Sequence, residues 1–168
     1  MTPTLGFFVS IAFSLVAWGL VTVRYIWPRL RGLEQSDALR PILLVHAFRF
    51  LGLAFLIPGV VSPELPLSFA RPAAYGDLAA ATLALLSLLT LTRGGVVLAW
   101  AFNLWGSFDL LKAFYHAGSA GLVPGQLGAT YFIPTFVVPM LLMTHIVAFR
   151  ILLRRRHDAS ALERAGTA

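Results

Sequence analysis

The stretch PILLVHAFRFLGLAFLIPGVV, residues 41–61, decides the class of fold. A helix needs about 20 residues to cross the hydrocarbon core of a bilayer, and this stretch has that length and almost only apolar side chains. His46 and Arg49 are the exceptions. An arginine that faces lipid at this depth costs about 2.5–3.5 kcal/mol on insertion scales, so we expect these two side chains to face other helices.

The composition of the whole chain agrees with a membrane protein. Apolar residues make up 58% of the 168 residues and charged residues 12%, and the mean hydropathy is +0.82, far above that of ordinary soluble domains. Cysteine is absent, which excludes disulfides and thiolate metal sites. The net charge of +6 is not gathered in a separate basic domain, so we expect membrane lipid and no nucleic acid among the partners.

Four further apolar stretches accompany the first. The sequence therefore predicts an all-α fold, a polytopic integral membrane helix bundle with five transmembrane helices in a single domain. The predicted spans are residues 5–26, 41–61, 77–92, 96–115 and 131–153, followed by a short basic cytoplasmic tail at 154–168. Only four residues, Thr92 to Gly95, join the third and fourth spans, so we expect these two helices to be antiparallel neighbours.

The third span is the shortest, and its start is placed at Asp77 or slightly earlier, near Ala73. A ridge of small side chains runs along it. The ridge consists of Gly76, Ala80, Ala84 and Ser87. Small residues let helix backbones approach closely where lipid removes the usual hydrophobic drive, so this pattern predicts a span packed against other helices.

The arginines predict the orientation of the bundle. Arg29, Arg31, Arg40, Arg93, Arg154, Arg155 and Arg156 lie on one side of the predicted membrane, and Arg71 lies on the other. By the positive-inside rule the N-terminus is extracytoplasmic and the C-terminus cytoplasmic, in a bacterial inner membrane. The opening MTPTLG lacks a basic region, so the first helix is expected to be retained and not cleaved as a signal peptide.

The proline- and glycine-rich connections on the outer side, residues 62–77 and 116–130, are predicted to be loops that fold over the mouth of the bundle.

Polar residues in three of the spans predict a common site. His46 and Arg49 share a helical stripe with Leu53 and Leu56 in the second span. Asn103 and Asp109 lie on one arc of the fourth span, and a rise of about 1.5 Å per residue brings both within reach of a long guanidinium side chain. We predict that Arg49 contacts Asn103, Asp109 or both, with Lys112 as a competing partner for the aspartate.

The fifth span supplies a second histidine. His145 lies at about the same depth as His46, so the two rings can face each other across the bundle. Pro139 removes one amide donor and opposes the carbonyl of Thr135, which predicts a kink there. The candidate ligand-binding residues are His46, Arg49, Asn103, Asp109 and His145.

These residues are compatible with three kinds of function. A buried polar site favours a small-solute or proton-coupled permease or a ligand-binding subunit; its arginine favours an anion or a proton-coupled solute, and the small bundle suggests a homo-oligomer or a partner membrane subunit. A second hypothesis is an accessory or structural subunit without chemistry. A third is electron transfer through a b-type haem, with His46 and His145 as its axial ligands. An enzyme is disfavoured, because HExxH, GxSxG and phosphate-binding glycine motifs are absent.

Overall fold

The computed structural model describes residues 2–91 and 95–154, and this part of the chain is helical without any β-strand. Five long helices form a bundle. They are α1 (Pro3–Leu30), α2 (Gln35–Leu56), α3 (Leu67–Thr90), α4 (Val96–Ser119) and α5 (Ile133–Leu152). A short 3₁₀ helix, Pro124–Tyr131, precedes α5. The all-α bundle predicted from the sequence is confirmed.

Four of the helices, α1, α2, α3 and α5, are long and apolar enough to cross a membrane. Helix α4 is as long as α3, with 24 residues, but it is not among the helices apolar enough to cross a membrane, and its apolar run is interrupted by Asn103, Asp109 and Lys112. Hydropathy alone therefore indicates four spans, and a fifth span at α4 needs a further argument.

Two helices differ from their predicted spans by five residues or more. Helix α2 begins at Gln35 and ends at Leu56, whereas the prediction ran from 41 to 61. Helix α3 begins at Leu67, ten residues before the predicted start, and so takes up part of the expected outer loop. Phe69, Ala70 and Ala73 of this first part are buried against other elements, so tertiary packing stabilises a segment that is not strongly apolar.

Prolines mark the irregular turns of the bundle. A π-helical turn at Thr22–Ile26 ends just before Trp27 and Pro28, and another at Ile133–Val137 ends just before Val138 and Pro139. In each turn an amide reaches back five residues, from Trp27 to Thr22 and from Val138 to Ile133. The irregularity predicted near Pro139 is present in this form, because the proline lacks the amide that would continue a regular helix.

Helices α3 and α4 are antiparallel neighbours, as predicted, because Thr90 lies beside Gly95 at one end while Gly76 lies beside Asp109 farther along. The connecting residues 92–94, including Arg93, lie outside the described residues. The ridge of small side chains on α3 is buried throughout, which confirms the predicted packing of this helix.

The two ends of the bundle differ in chemistry. At one end the guanidinium of Arg154 lies 4.8 Å from the ring centroid of Trp27 and donates to the carbonyl of Arg31 at 2.9 Å. Gln35 there donates to the carbonyl of Ile151 at 3.1 Å. These contacts join α1, α2 and α5 at the arginine-bearing end. The predicted basic tail beyond Arg154, with Arg155 and Arg156, lies outside the described residues.

At the opposite end of the bundle, the connection between α2 and α3 is hydrogen-bonded to the connection between α4 and α5. The amide of Ser62 donates to the carbonyl of Gln126 at 3.0 Å, and the amide of Ala129 donates to the carbonyl of Val60 at 2.9 Å. Leu127, which is fully buried, packs beneath them with Phe55 and other apolar residues. The loops predicted at this end therefore close the bundle, and a polar layer lies between the apolar clusters of the two ends.

Candidate functional site

The end of α2 aims Arg49 into the bundle. Residues Phe48–Leu56 form a 3₁₀ helix, which has three residues per turn, so Arg49, Gly52 and Phe55 lie on one face and are all buried. The predicted stripe through Leu53 and Leu56 was wrong, because it assumed the 3.6-residue period of an α-helix. Arg49 itself is 3% exposed.

Arg49 is the centre of a buried network of charges. Its Nε donates to Oδ1 of Asp77 at 2.7 Å, and its Nη2 donates to Oδ2 of Asp109 at 2.7 Å. Its Nη1 donates to the carbonyl of Gly106 at 3.1 Å. The predicted contact between Arg49 and Asp109 is therefore confirmed, while Lys112 is exposed and forms no ion pair with Asp109 among the described residues.

Asp77 is the member of this network that the sequence interpretation missed. The predicted third span begins at this residue or slightly earlier, near Ala73, which places the carboxylate of Asp77 at the edge of the span. Because α3 begins at Leu67, Asp77 lies well inside the helix, and its side chain is 12% exposed. The signal was available, since an acidic residue next to Gly76 on a ridge of small side chains needs a partner wherever that ridge is packed.

Asn103 holds His145 in one tautomer. The Nδ1 atom of His145 lies 2.7 Å from Oδ1 of Asn103, and an amide oxygen only accepts, so Nδ1 carries the proton. The Nε2 atom is then an acceptor, and it faces Nη1 of Arg49 at 3.4 Å. Asn103 also donates to the carbonyl of His145 at 3.4 Å. Of the two partners predicted for Arg49, Asp109 is thus in direct contact, and Asn103 is linked to Arg49 only through His145.

His46 lies next to His145, at the common depth that the sequence predicted. Their ring centroids are 4.2 Å apart. Nε2 of His46 lies 2.9 Å from Oγ1 of Thr144, whose hydroxyl donates to the carbonyls of Met140 and Leu141 at 3.0 Å, so Nε2 of His46 is the donor. Nδ1 of His46 is buried without a hydrogen-bond partner in the described part of the chain.

The contact between the two rings does not fit a haem held between His46 and His145. A haem between axial histidines separates their rings by the macrocycle and by two metal–nitrogen bonds of about 2 Å each. His46 and His145 touch each other, and their Nε2 atoms point to Thr144 and Arg49. No three or more histidine, aspartate or glutamate side chains form a metal-binding group in the described residues.

Three glycines, one on each of α2, α3 and α4, make room for the network. A Cβ at Gly52 would collide with the carboxylate of Asp77, and a Cβ at Gly76 would collide with that of Asp109. A Cβ at Gly106 would lie 2.6 Å from Cε1 of His145. Each of these glycines therefore lets a polar side chain approach the backbone of a neighbouring helix.

The network carries one more negative than positive charge when both aspartates are ionised, because Asp77 and Asp109 share the single guanidinium of Arg49. Each carboxylate keeps a second oxygen without a hydrogen-bond donor among the described residues. Both aspartates also line a cavity of about 70 Å³ that lies towards the end closed by the loops. Chemically, this arrangement suits a proton or a monovalent cation, since an anion would meet two carboxylates around an already paired arginine.

Comparison with known proteins gives one match. A family model described as a domain of unknown function, DUF8737, matches residues 6–153. No curated protein and no solved structure is significantly similar to the chain.

Proposed function

The chain belongs to the family described as domain of unknown function DUF8737, and we propose that it is a five-span integral membrane protein that binds a small monovalent cation at Asp77 and Asp109. It acts as a ligand-binding protein or as a small permease. The observation that carries this proposal is the buried centre of two carboxylates and one guanidinium beside a cavity.

The outer surface of the bundle supports insertion into a membrane. Large apolar side chains are exposed on several helices, for example Phe13 at 75%, Leu89 at 75% and Val97 at 76%. Water disfavours contiguous apolar surface of this kind, whereas lipid solvates it. Helix α4 is antiparallel to α3 and of the same length, so a bilayer that contains α3 also contains α4. This pairing supports a fifth span despite the lower hydropathy of α4.

The arginine-bearing end is proposed to face the cytoplasm of a bacterium, with the protein in the inner membrane and the N-terminus outside. The absence of cysteine makes this testable with single cysteine variants. Gly32 and Gly125 lie in connections at opposite ends, and a side chain at either position meets open space. A membrane-impermeant maleimide is expected to label Gly125→Cys in intact cells and Gly32→Cys only after permeabilisation. The reverse pattern contradicts the orientation, and labelling of both in intact cells contradicts the three spans, α2, α3 and α4, between these two positions.

Charge balance favours a cation over an anion, which was one of the two ligand classes, with a proton-coupled solute, that the arginine suggested from the sequence. The guanidinium of Arg49 is held by Asp77, Asp109 and the carbonyl of Gly106, so it offers an anion little further bonding. A monovalent cation neutralises the remaining negative charge. In a medium of low dielectric constant this compensation is worth more than at a surface in water.

Thermal unfolding in mild detergent tests the cation site. We expect methylammonium chloride to stabilise the protein relative to N-methylglucamine chloride at equal ionic strength, since a ligand that binds only the folded state raises its stability. The N-methylglucamine cation is too large for the cavity of about 70 Å³. Asp77→Asn and Asp109→Asn should abolish this effect. Asp37→Asn is the matched control, because Asp37 is an exposed aspartate paired with Arg40 at the arginine-bearing end. Equal stabilisation of all three variants would contradict the proposal.

A five-helix permease is expected to work as a homo-oligomer or with a partner membrane subunit, because five helices give little room for alternating access. The mass of the detergent-solubilised protein, measured by light scattering, tests the first case. If the protein is a monomer and no cation stabilises it, the accessory role becomes the better account. In that role Arg49 only joins α2, α3 and α4.

A further inference from the structure

Resting on the proposed cation site, we infer that the ligand is a primary alkylammonium ion, an amphipathic amine, which enters from the bilayer between α1 and α4. Its ammonium group would lie at the carboxylates of Asp77 and Asp109, and its alkyl chain would occupy the adjoining cavity.

The wall of the cavity is the first argument. Asp77 and Asp109 are the only polar side chains that line it in the described residues, and aromatic rings such as Phe55 and Phe69 form much of the rest. A hydrated inorganic cation or a sugar-like solute would need further polar ligands to replace its water. A ligand with one cationic group and an apolar body leaves no polar group unpaired here, and the aromatic faces add cation–π attraction.

The open side of the cavity is the second argument. Towards the loops it is closed by Leu127, which is fully buried, and on the inner side by Phe55 and Phe69, which are buried too. Phe114 of α4 is the most exposed lining residue, at 41%, while Phe7 of α1 is half-buried, as are several lining residues of α4 and α5. Helix α1 packs on α5 while α4 packs on α3 and α5, so the opening lies between α1 and α4 on the apolar flank of the bundle. Entry from that side passes through lipid.

The size of the cavity is the third argument. An engineered apolar cavity of about 150 Å³ accommodates benzene. The cavity beside Asp109 has about 70 Å³ and thus holds roughly three carbon atoms by the same measure. A longer chain extends past Phe114 into the lipid, while the carboxylates hold its charged end. The site therefore selects for charge and for an unbranched chain, and it sets no strict upper limit on chain length.

A homologous series of ligands tests this inference. The dissociation constants of methylammonium, propylammonium and hexylammonium are measured by thermal shift in detergent, with propionate and hexanoate as anionic controls of matched length. Each methylene buried in the cavity should strengthen binding about fourfold, so propylammonium is expected to bind roughly tenfold or more tightly than methylammonium. The anionic controls, propionate and hexanoate, should not bind. A further gain from propyl to hexyl should be smaller, because the added carbons lie at the lipid-facing rim.

Variants of α4 distinguish the cavity from general detergent-like binding. Ala113 lines the cavity, whereas Ala101 on the same helix is exposed. Ala113→Phe should remove the dependence on chain length and Ala101→Phe should leave it unchanged. Ala113→Val provides a milder filling if the phenylalanine variant does not fold. An effect of chain length that persists in Ala113→Val and in Asp109→Asn contradicts the inference.

Locking the loops tests the route of entry. Ser62→Cys and Gln126→Cys, in a chain without other cysteines, can be joined by a short bifunctional maleimide, since the backbones of these residues are hydrogen-bonded at 3.0 Å. The association rate of propylammonium should be unchanged by the cross-link, and a strongly reduced rate would overturn lateral entry.

If methylammonium binds through the aspartates but chain length has no effect, the cation site stands and the proposal of an amphipathic ligand is wrong. If no ammonium ion stabilises the folded protein, both proposals fail.

Discussion

Replacing Arg49 by leucine should destabilise the bundle far more than replacing either of its aspartate partners by asparagine. The side chains of Asp77 and Asp109 are 12% and 9% exposed and share the one guanidinium. Arg49→Leu leaves two buried carboxylates without a countercharge. Asp109→Asn leaves a neutral pair of Arg49 and Asp77, and the amide oxygen can still accept the Nη2 hydrogen bond.

The magnitudes follow from these charges. Removing one partner of a buried ion pair costs about 3–5 kcal/mol, because the remaining charge stays uncompensated. That is about a 10²- to 10⁴-fold change in the ratio of folded to unfolded protein. For Asp109→Asn, the loss of one charge-assisted hydrogen bond, about 1.5–3 kcal/mol, is offset by the loss of repulsion between the two carboxylates. We expect a net cost of about 1 kcal/mol or less for this variant.

Reversible unfolding by a denaturing detergent in mixed micelles, followed by tryptophan fluorescence, measures these differences. Arg40→Leu is the matched control, because Arg40 pairs with Asp37 at 3.1 Å while both side chains are largely exposed. Such a surface pair contributes about 0–1 kcal/mol. Unfolding of Arg49→Leu at the same detergent fraction as Arg40→Leu would contradict a central role of Arg49 in stability, and so would an equal loss of stability in Asp109→Asn and Arg49→Leu.

Three further predictions concern the groups around the charge network. Gly76→Ala should destabilise the protein by about 1–3 kcal/mol, because its Cβ meets a carboxylate, whereas Gly19→Ala, whose Cβ meets nothing within 4 Å, should be neutral or slightly stabilising in the same unfolding titration. Thr144→Val removes the acceptor of His46 and should cost about 1–3 kcal/mol, with Thr144→Ser restoring most of it. Protein purified from haem-replete cells should have a featureless visible spectrum; a Soret band that disappears in both His46→Ala and His145→Ala would contradict the ring contact.

The charge network also explains how the bundle fixes the mutual arrangement of its helices. Arg49 on α2 reaches Asp77 on α3 and Asp109 on α4, and it faces His145 on α5. In the proposed membrane setting, lipid would provide no hydrophobic drive for helix association, so such contacts, together with the close approach at the glycines, would define register. A cation bound at the carboxylates would act on four helices at once, which gives ligand binding a direct route to a change in helix packing.

Several features of this site were predictable from the sequence because they depend on distance along a helix. A rise of about 1.5 Å per residue placed Arg49 within reach of Asp109 and placed His46 level with His145, and both relations hold. The burial of the ridge on α3 was also predictable, because its small side chains recur every three or four residues and so lie on one face of the helix. The position of a residue along the helix axis depends only on where the helix starts and on its rise per residue, so it can be estimated from the sequence.

The partners around Arg49 were less predictable, because they depend on how each helix is rotated and where it begins. The 3₁₀ turn at Phe48–Leu56 changed the inward face from Leu53 to Gly52, and the early start of α3 moved Asp77 from the boundary into the network. Of the two candidate partners of Arg49, Asp109 binds it directly, and Asn103 binds His145.

The sequence by itself determined that this protein is an apolar helical bundle with a few buried polar groups, since composition, run length and hydropathy depend only on the residues present. Only the tertiary structure decided which of those groups meet. It brought two carboxylates to one guanidinium, closed the space between His46 and His145, and left a cavity beside Asp77 and Asp109. The physical reason is that helix rotation and register come from packing between segments distant in sequence, and no period within a single helix contains that information.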